Sequence, residues 1–188
     1  YSEAAKALID DVVARHGRID VLINNPGMIK LNSIADMPPD DFAAVHRVNL
    51  IGPYNMISAA LPSMLEHNAG TIINLASRRA FNPSRYWSAV CSSKAALISM
   101  TQCLHHDVKD AGIKVYAFSP GFTQTDMVKE IFASEVYRNS ERAGDQVESP
   151  PERPARVLTW LAREALTNLA GEHVEVRFDD IGKRAGLE

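Results

Sequence analysis

The sequence predicts an α/β fold in which a parallel sheet is flanked by helices. Three observations predict it: apolar runs short enough for buried strands, intervening stretches with apolar residues at helical spacing, and a regular alternation of the two. Such alternation favours parallel strands joined by crossovers, which we expect to be right-handed. The chain has 188 residues, of which 46% are hydrophobic, so we expect one domain over residues 1–188 with a sizeable core.

The first half of the chain contains two predicted helices and two predicted strands. Residues 2–16 have apolar positions at helical spacing, and the apolar run at 19–23 predicts the first strand. Two prolines followed by two acids predict that a long helix begins near residue 38 and continues to about residue 67. The apolar run at 71–76 then predicts a second, buried strand.

The second half repeats this pattern around a less regular insertion. A helix is expected over residues 84–111 and a third buried strand over 113–118. Residues 126–149 are polar and weakly helical without a strong period, which is typical of a functional or mobile segment. A further helix is expected over 150–166. The alternating run at 172–177 predicts a final strand at an edge of the sheet.

Composition argues against several classes of function. The formal net charge is −3 with the two signs mixed, so we expect no nucleic-acid partner and no membrane partner. No apolar run reaches the ~18 residues of a membrane span, and we expect no signal peptide. Cys91 and Cys103 predict thiols in a reducing compartment, and we expect a cytoplasmic protein. No metal site is expected, because the histidines lack metal-ligand spacing.

Polar residues follow three of the predicted strands, at the positions where open α/β sheets build their sites. Ser77 follows the second strand, and Lys94 lies on the helix after it. The other motifs are Asn24-Asn25-Pro26-Gly27 after the first strand, Asn49-Leu-Ile-Gly52 in the long helix, and Pro120-Gly121-Phe-Thr-Gln-Thr125 after the third strand.

These motifs, in this order, resemble those of the short-chain dehydrogenase/reductase family, and the resemblance covers essentially the whole chain. That family carries a serine, then a tyrosine thirteen residues later, then a lysine four residues after the tyrosine. Ser77 and Lys94 match the serine and the lysine, whereas Val90 stands at the position of the tyrosine. The resemblance implies an incomplete Rossmann-like sheet, whose four predicted strands correspond to the last four of the family's seven.

The resemblance also implies roles for individual residues. In the family a tyrosine hydroxyl transfers a proton while hydride passes to or from a nicotinamide. The implied catalytic residues are Asn49, Ser77 and Lys94, with Asn49 loosening its helix and holding a water that leads to the lysine. The implied cofactor-binding residues are Asn24, Asn25, Gly27, Lys94, Pro120, Gly121 and Thr125. The implied cofactor is NAD or NADP, the implied substrate is a small carbonyl compound or alcohol, and the implied assembly is a homodimer or homotetramer.

The valine is the first departure from the family pattern. Val90 cannot transfer a proton, so we expect a severe loss of activity. If the helix extends that far, Tyr86 lies one turn earlier, about 6 Å along the axis and beyond the ~3 Å reach of a proton donor. Cys91 points about 100° away from Val90 around the helix. Gly52-Pro53 is an alternative cause of a kink near Asn49.

The second departure is that the sequence contains no Gly-x-Gly-x-x-Gly cluster. In the family a Gly-rich turn seats the cofactor's pyrophosphate at a helix amino terminus, so we expect poor affinity for NAD or NADP. The three strands that precede these four in the family also have no counterpart here. We therefore expect the edge of the first strand to be covered by another segment, another subunit or rearranged chain.

Three functions stay open at this point. The first is an NAD(P)-dependent oxidoreductase of alcohols or carbonyl compounds, impaired at Val90. The second is a non-catalytic relative that acts as a binding or oligomerisation scaffold. The third is a different activity in the same cleft, such as a lyase or hydrolase that uses Ser77, although no activating histidine lies near Ser77 in sequence.

Overall fold

A computed structural model describes residues 2–139, 148–175 and 181. The regular elements are α1 (Ser2–His16), β1 (Val21–Asn24), α2 (Pro39–His46), a π-helical segment (Arg47–Ile51), α3 (Gly52–Glu66), β2 (Gly70–Leu75), α4 (Ser88–Val108), β3 (Ile113–Ser119), β4 (Phe122–Thr123), α5 (Asp126–Ala133), α6 (Glu135–Arg138), β5 (Glu148–Ser149), α7 (Glu152–Glu164) and β6 (His173–Glu175). Short 3-10 turns occupy Arg78–Ala80, Lys109–Ala111 and Thr167–Leu169.

Four strands form the main sheet in the order β1-β2-β3-β6, and every neighbouring pair is parallel. In this register Asn24 lies beside Asn74, and Leu75 lies beside Phe118. The strands β2 and β3 are buried along nearly their whole length, as near-continuous apolar runs require. The predicted α/β fold with a parallel, helix-flanked sheet is confirmed. A second, two-stranded sheet pairs β4 with β5.

Two apolar layers cover the two faces of the main sheet. One packs α1, α3 and α4 against side chains such as Leu22, Ile72 and Val115. The other packs α7 against Ile73 and Tyr116. Each successive strand of the main sheet is added on the same side of the one before it. The helices α3 and α4, which connect β1 to β2 and β2 to β3, cover one face of the sheet, whereas α7, which connects β3 to β6, covers the other face. The third connection therefore has the opposite hand to the first two, so the expectation of right-handed crossovers throughout is wrong. The long insertion between β3 and α7 releases this connection from the steric preference of a short strand-helix-strand unit.

The single helix expected over residues 38–67 is divided by a π-helical segment, Arg47–Ile51. Within this segment the N–H of Gly52 bonds to the carbonyl of Arg47, five residues earlier. The next residue, Pro53, has no N–H to donate, so the regular ladder is interrupted at the same place. Asn49 lies in the middle of the segment and is 1% exposed. Both expected causes of an irregular helix, Asn49 and Gly52-Pro53, thus lie at the observed irregularity.

Two boundaries differ from the sequence expectation for local reasons. The helix expected from residue 84 begins at Ser88, because Tyr86 has a φ of 72° and cannot belong to a right-handed helix. The insertion at 126–149 contains two short helices, each with a hydroxyl side chain at its amino-terminal cap: Thr125 for α5 and Ser134 for α6. The last part of the strand expected over 172–177 lies outside the described residues.

The outer edge of β1 has no strand beside it in the described part of the chain. Val21 and Ile23 are 39% and 43% exposed, and they project on the face that α7 covers elsewhere. The described residues therefore contain no rearranged segment that covers this edge, and a cover from another segment or another subunit stays a prediction. None of the described helices is long and apolar enough to cross a membrane.

The turn before β3 gives a test of close packing. Gly112 has a φ of 73°, and a Cβ there would lie 2.5 Å from the carbonyl oxygen of Asn68. Gly17 has a φ of 82°, but a Cβ there would meet nothing within 4 Å. We expect Gly17→Ala to lower the free energy of unfolding by about 1–2 kcal/mol, the cost of a left-handed alanine. Gly112→Ala should cost at least about 1 kcal/mol more, because the backbone must also move.

Denaturant unfolding of both variants measures this difference. Equal losses at the two positions would contradict the close approach of Gly112 to Asn68.

Candidate functional site

A cavity of about 670 Å³ lies at the carboxyl ends of β1, β2 and β3. Its wall is formed by the turns that follow these strands, the start of α4, the π-helical segment and the start of α5. It brings together all of the sequence-predicted site residues except Asn24: Asn25, Gly27, Asn49, Ser77, Lys94, Pro120, Gly121 and Thr125. Val90 lies on the same wall. One cavity therefore contains residues from motifs that are up to 100 positions apart.

Lys94 is the cation at the base of this cavity. Its Nζ donates hydrogen bonds to the carbonyl oxygen of Leu75 at 2.6 Å and to that of Pro26 at 3.3 Å. The side chain is 7% exposed, and burial lowers its pKa to about 8. Among the described residues no carboxylate forms an ion pair with it. The amine is thus held by backbone oxygens alone, in a setting that favours its neutral form.

Ser77 and Val90 line the same cavity as Lys94. The Ser77 hydroxyl accepts a hydrogen bond from the backbone N–H of Arg79 at 3.2 Å and so caps the 3-10 turn that follows β2. Val90 lies one turn before Lys94 on α4 and is 3% exposed. Its isopropyl group has no exchangeable proton. The site therefore combines a hydroxyl and an amine with an aliphatic group between them in sequence.

Tyr86 and Cys91, the two side chains weighed as substitutes for the missing phenol, do not line the cavity. Tyr86 precedes α4, and its ring is covered by the guanidinium of Arg85, 4.8 Å from the ring centroid. The expectation that Tyr86 extends the same helix by one turn is wrong, because its left-handed backbone lies before the helix begins. Cys91 is buried in an apolar cluster with Trp87, and burial raises the pKa of its thiol.

Asn49 anchors the turn after β1 to the helices. Its Oδ1 accepts from the N–H of Met28 at 2.8 Å, and its Nδ2 donates to the carbonyl of Met28 at 3.0 Å and to the hydroxyl of Ser93 at 3.1 Å. Both amide hydrogens are thus bound to protein atoms. The expected role of holding a water that leads to the lysine stays a prediction, and the observed role is to position the loop that carries Gly27.

Asn24 lies behind the cavity, in a chain of buried side-chain hydrogen bonds. Its Nδ2 donates to Asn74 at 2.9 Å, and the Nδ2 of Asn74 donates to the hydroxyl of Thr101 at 2.9 Å. These bonds connect β1, β2 and α4, so Asn24 ties neighbouring strands together without lining the cavity. The sequence contained a signal for these hydrogen bonds that we did not use. Asn74 lies inside a buried strand, and a buried amide needs a hydrogen-bond partner.

Arg79 is a cavity residue that the sequence analysis missed. It is 6% exposed, and its guanidinium lies 4.5 Å from the ring centroid of Trp87 and 5.6 Å from that of Phe122. Its Nη1 donates to the hydroxyl of Ser84 at 3.1 Å. Its place two residues after Ser77 was a usable signal, but the tandem Arg78-Arg79 does not reveal which guanidinium is buried. The 3-10 turn decides this, since it turns Arg79 inwards.

A second polar cluster joins the ends of β3 and β6 to the turn after β2. The hydroxyl of Ser119 and Nε2 of His173 are 2.6 Å apart, and Nδ1 of His173 is 3.8 Å from a carboxylate oxygen of Glu175. That carboxylate also pairs with Arg78 at 3.3 Å. Burial, and then the charge of Arg78, lower the pKa of His173. Arg78 belongs both to this cluster and to the cavity wall, whereas Ser119, His173 and Glu175 do not line the cavity.

Comparison with known proteins identifies relatives of this architecture. The sequence matches the family model described as short chain dehydrogenase over residues 1–136. One relative is the 3-oxoacyl-(acyl-carrier-protein) reductase FabG of Thermotoga maritima, 29% identical over 171 residues that cover 91% of this chain and 70% of that protein. The reductase of the same name from Staphylococcus aureus is 35% identical over 128 residues, which cover 67% of this chain and 51% of that protein.

Solved structures share the fold. A gluconate 5-dehydrogenase from Burkholderia cenocepacia, in complex with NADP and tartrate, superimposes with a TM-score of 0.83 at 24% identity, covering 93% of this chain and 69% of that chain. An NAD+-bound xylitol dehydrogenase gives a TM-score of 0.82 at 25% identity, covering 93% of this chain and 74% of that chain.

The chain spans 70%, 54% and 61% of the length of three curated relatives that its sequence matches.

The cluster around His173 predicts a pH dependence of stability. Because the folded state lowers the pKa of His173, the unfolded state binds the proton more readily, and folding stability should fall as pH drops below about 6.5. We expect His173→Gln to remove this part of the acid sensitivity. The melting temperature of the variant should therefore fall less than that of the parent chain when the pH is lowered from 7.5 to 5.

His16→Gln, at the exposed end of α1, is the matched control, since it makes the same side-chain change outside this cluster. An acid profile for His173→Gln identical to that of the parent chain would contradict the burial of a neutral imidazole in this cluster.

Proposed function

The chain belongs to the short-chain dehydrogenase family, and from this premise we propose that it is an NAD(P)-dependent oxidoreductase of small carbonyl compounds or alcohols whose proton-transfer step is impaired. The observation that carries the proposal is the cavity wall, where Ser77, Lys94 and the Pro120-Gly121 turn lie together with Val90. This wall retains groups that bind and orient, and it has an aliphatic group where the family has its phenol.

The residues of the cavity fit the nicotinamide half of such a cofactor. Lys94 and Asn25 present donors at the carboxyl ends of the strands, where open α/β sheets bind their ligands. Gly121 has a φ of 77°, which suits a residue without a side chain and leaves the backbone of this turn open to a flat ring. When bound, the nicotinamide supplies or accepts hydride. Lys94, Asn25 and Thr125 would hold the nicotinamide and its ribose.

The other half of the cofactor has less support. The sequence contains no Gly-x-Gly-x-x-Gly cluster to seat a pyrophosphate, and no described strand lies beyond β1. Affinity of this chain for NAD or NADP is therefore proposed to be weak.

Proton transfer is the proposed defect. Ser77 can donate a hydrogen bond to a substrate oxygen, and Lys94 can hold or release a proton at Nζ near pH 8. Val90 can do neither. Well-placed general acid–base catalysis contributes about 10²–10⁴ in rate, so its loss slows turnover even where binding is intact.

The same valine favours a second candidate, a non-catalytic relative that keeps the cavity as a binding or oligomerisation scaffold. Exposed side chains on α3 and α4 support the homodimer or homotetramer that we propose for either function: Tyr54 and Leu65 are 55% and 42% exposed, and Ala95 and Ser99 are exposed small residues. Ala89, on the same helix, is fully buried. A cytoplasmic location is proposed with these functions.

Restoring the phenol separates the two candidates. We expect Val90→Tyr to raise NAD(P)H-dependent reduction of a panel of small carbonyl compounds by about 10²–10⁴ at high cofactor concentration. Val90→Phe is the matched control, since it adds the ring without the hydroxyl, and it should give no increase.

Calorimetry with NADH and NADPH accompanies the assay. Absence of turnover in Val90→Tyr favours the scaffold. Fast turnover by the parent chain, or an equal gain in Val90→Phe, contradicts the proposed defect. Micromolar affinity of the parent chain contradicts weak cofactor binding.

A further inference from the structure

The surroundings of Lys94 differ from those of two exposed lysines that form ion pairs, Lys6 and Lys129. Lys6 and Lys129 are each 71% exposed and pair with Asp10 and Asp126. Lys94 is 7% exposed and contacts two carbonyl oxygens. A carboxylate holds an amine in its charged form, whereas a buried setting without one favours the neutral amine.

The cavity gives this amine access to a small molecule. Its volume of about 670 Å³ is in the range of small-molecule sites. The described part of its wall contains no aspartate or glutamate, and its charged residues are Lys94, Arg78 and Arg79. Its apolar residues include Leu75, Val90, Met28 and Trp87. Such a wall suits a small apolar carbonyl compound. It also places no carboxylate near the amine that would stabilise the charged form of the amine.

Val90 also affects the protonation state of Lys94, independently of any role in redox chemistry. It lies one turn before Lys94 on α4, so a phenol at this position would place an acidic hydroxyl beside the amine and stabilise its charged form. The isopropyl group offers neither a hydrogen bond nor a charge. The substitution that removes a proton donor therefore also leaves the amine without an acidic neighbour on its own helix face.

We propose that Lys94 forms an imine with small apolar aldehydes or ketones bound in this cavity, a reaction that needs no nicotinamide cofactor. The lone pair of the neutral Nζ attacks the carbonyl carbon, so that a C–N bond forms while the π bond of the carbonyl breaks, and one proton passes from the nitrogen to the oxygen. The resulting carbinolamine loses water to give the C=N bond. Amine and carbonyl compound are thus converted to imine and water, with no change of oxidation state.

Burial supports this chemistry through the protonation state of the amine. With its pKa lowered to about 8, roughly one molecule in ten carries a neutral Lys94 at pH 7. For an ordinary lysine the neutral fraction is below about one in a thousand. Ser77, on the same wall, is a hydroxyl that can donate a hydrogen bond to the developing alkoxide.

Reductive trapping with benzaldehyde tests the proposal. The full chain is incubated at pH 7 with benzaldehyde and sodium cyanoborohydride, which reduces an imine to a stable secondary amine. Peptide mapping by mass spectrometry then gives the rate of benzylation at each lysine. We expect Lys94 to react at least about ten-fold faster than Lys6 and Lys129, because burial raises the neutral fraction of Lys94. In denaturant this preference should disappear.

Two variants complete the experiment. Lys94→Met should abolish the fast benzylation, whereas Lys129→Met, on the exposed face of α5, should leave it unchanged. If Lys94→Met does not fold, the benzylation rates of the individual lysines in the parent chain still test the proposal. Benzylation at Lys94 no faster than at Lys6 and Lys129 overturns the proposal. Because no cofactor is present, this result is independent of the outcome of the Val90→Tyr assay.

Discussion

The hydrogen bond from the amine of Lys94 to the carbonyl oxygen of Leu75 is the interaction on which the site depends. At 2.6 Å it fastens α4 to the last residue of β2, and the longer bond to Pro26 fastens the same amine to the turn after β1. One side chain thus sets the spacing of two strand ends. Because a buried ammonium is costly unless it is hydrogen-bonded, this geometry tolerates little displacement. The cavity has its shape because these carbonyls and this cation lie together.

Two further polar contacts keep that arrangement in place. Asn49 binds Met28 through both its oxygen and its nitrogen, so the loop over the cavity is fixed to the π-helical segment. Behind the cavity, Asn24 and Asn74 join β1 to β2. Buried amides require partners, so each bond also selects the register in which the partners meet. These contacts fix the base of the site.

Sequence reasoning reached the sheet and most of the cavity because the relevant signals are local. Apolar runs identify β2 and β3, and polar turns directly after parallel strands must meet at one edge of the sheet. The features that could not be predicted from the sequence depend on backbone geometry and packing, which the local pattern of residues does not encode. The left-handed backbone at Tyr86 sets where α4 begins, and a single 3-10 turn buries Arg79 while leaving Arg78 half exposed. The hand of the last connection depends on which face α7 covers, which is a property of the whole packing.

Lys94 is a buried amine with no acidic partner in the part of the chain that the structure describes, and the titration of its side chain tests this directly. Heteronuclear NMR of lysine side chains, with the Lys94 signal assigned by its loss in Lys94→Arg, follows the protonation of Nζ as pH is raised. We expect a midpoint pKa near 8, because burial disfavours the charged amine. A midpoint near 10.5, as for a lysine in water, would contradict it.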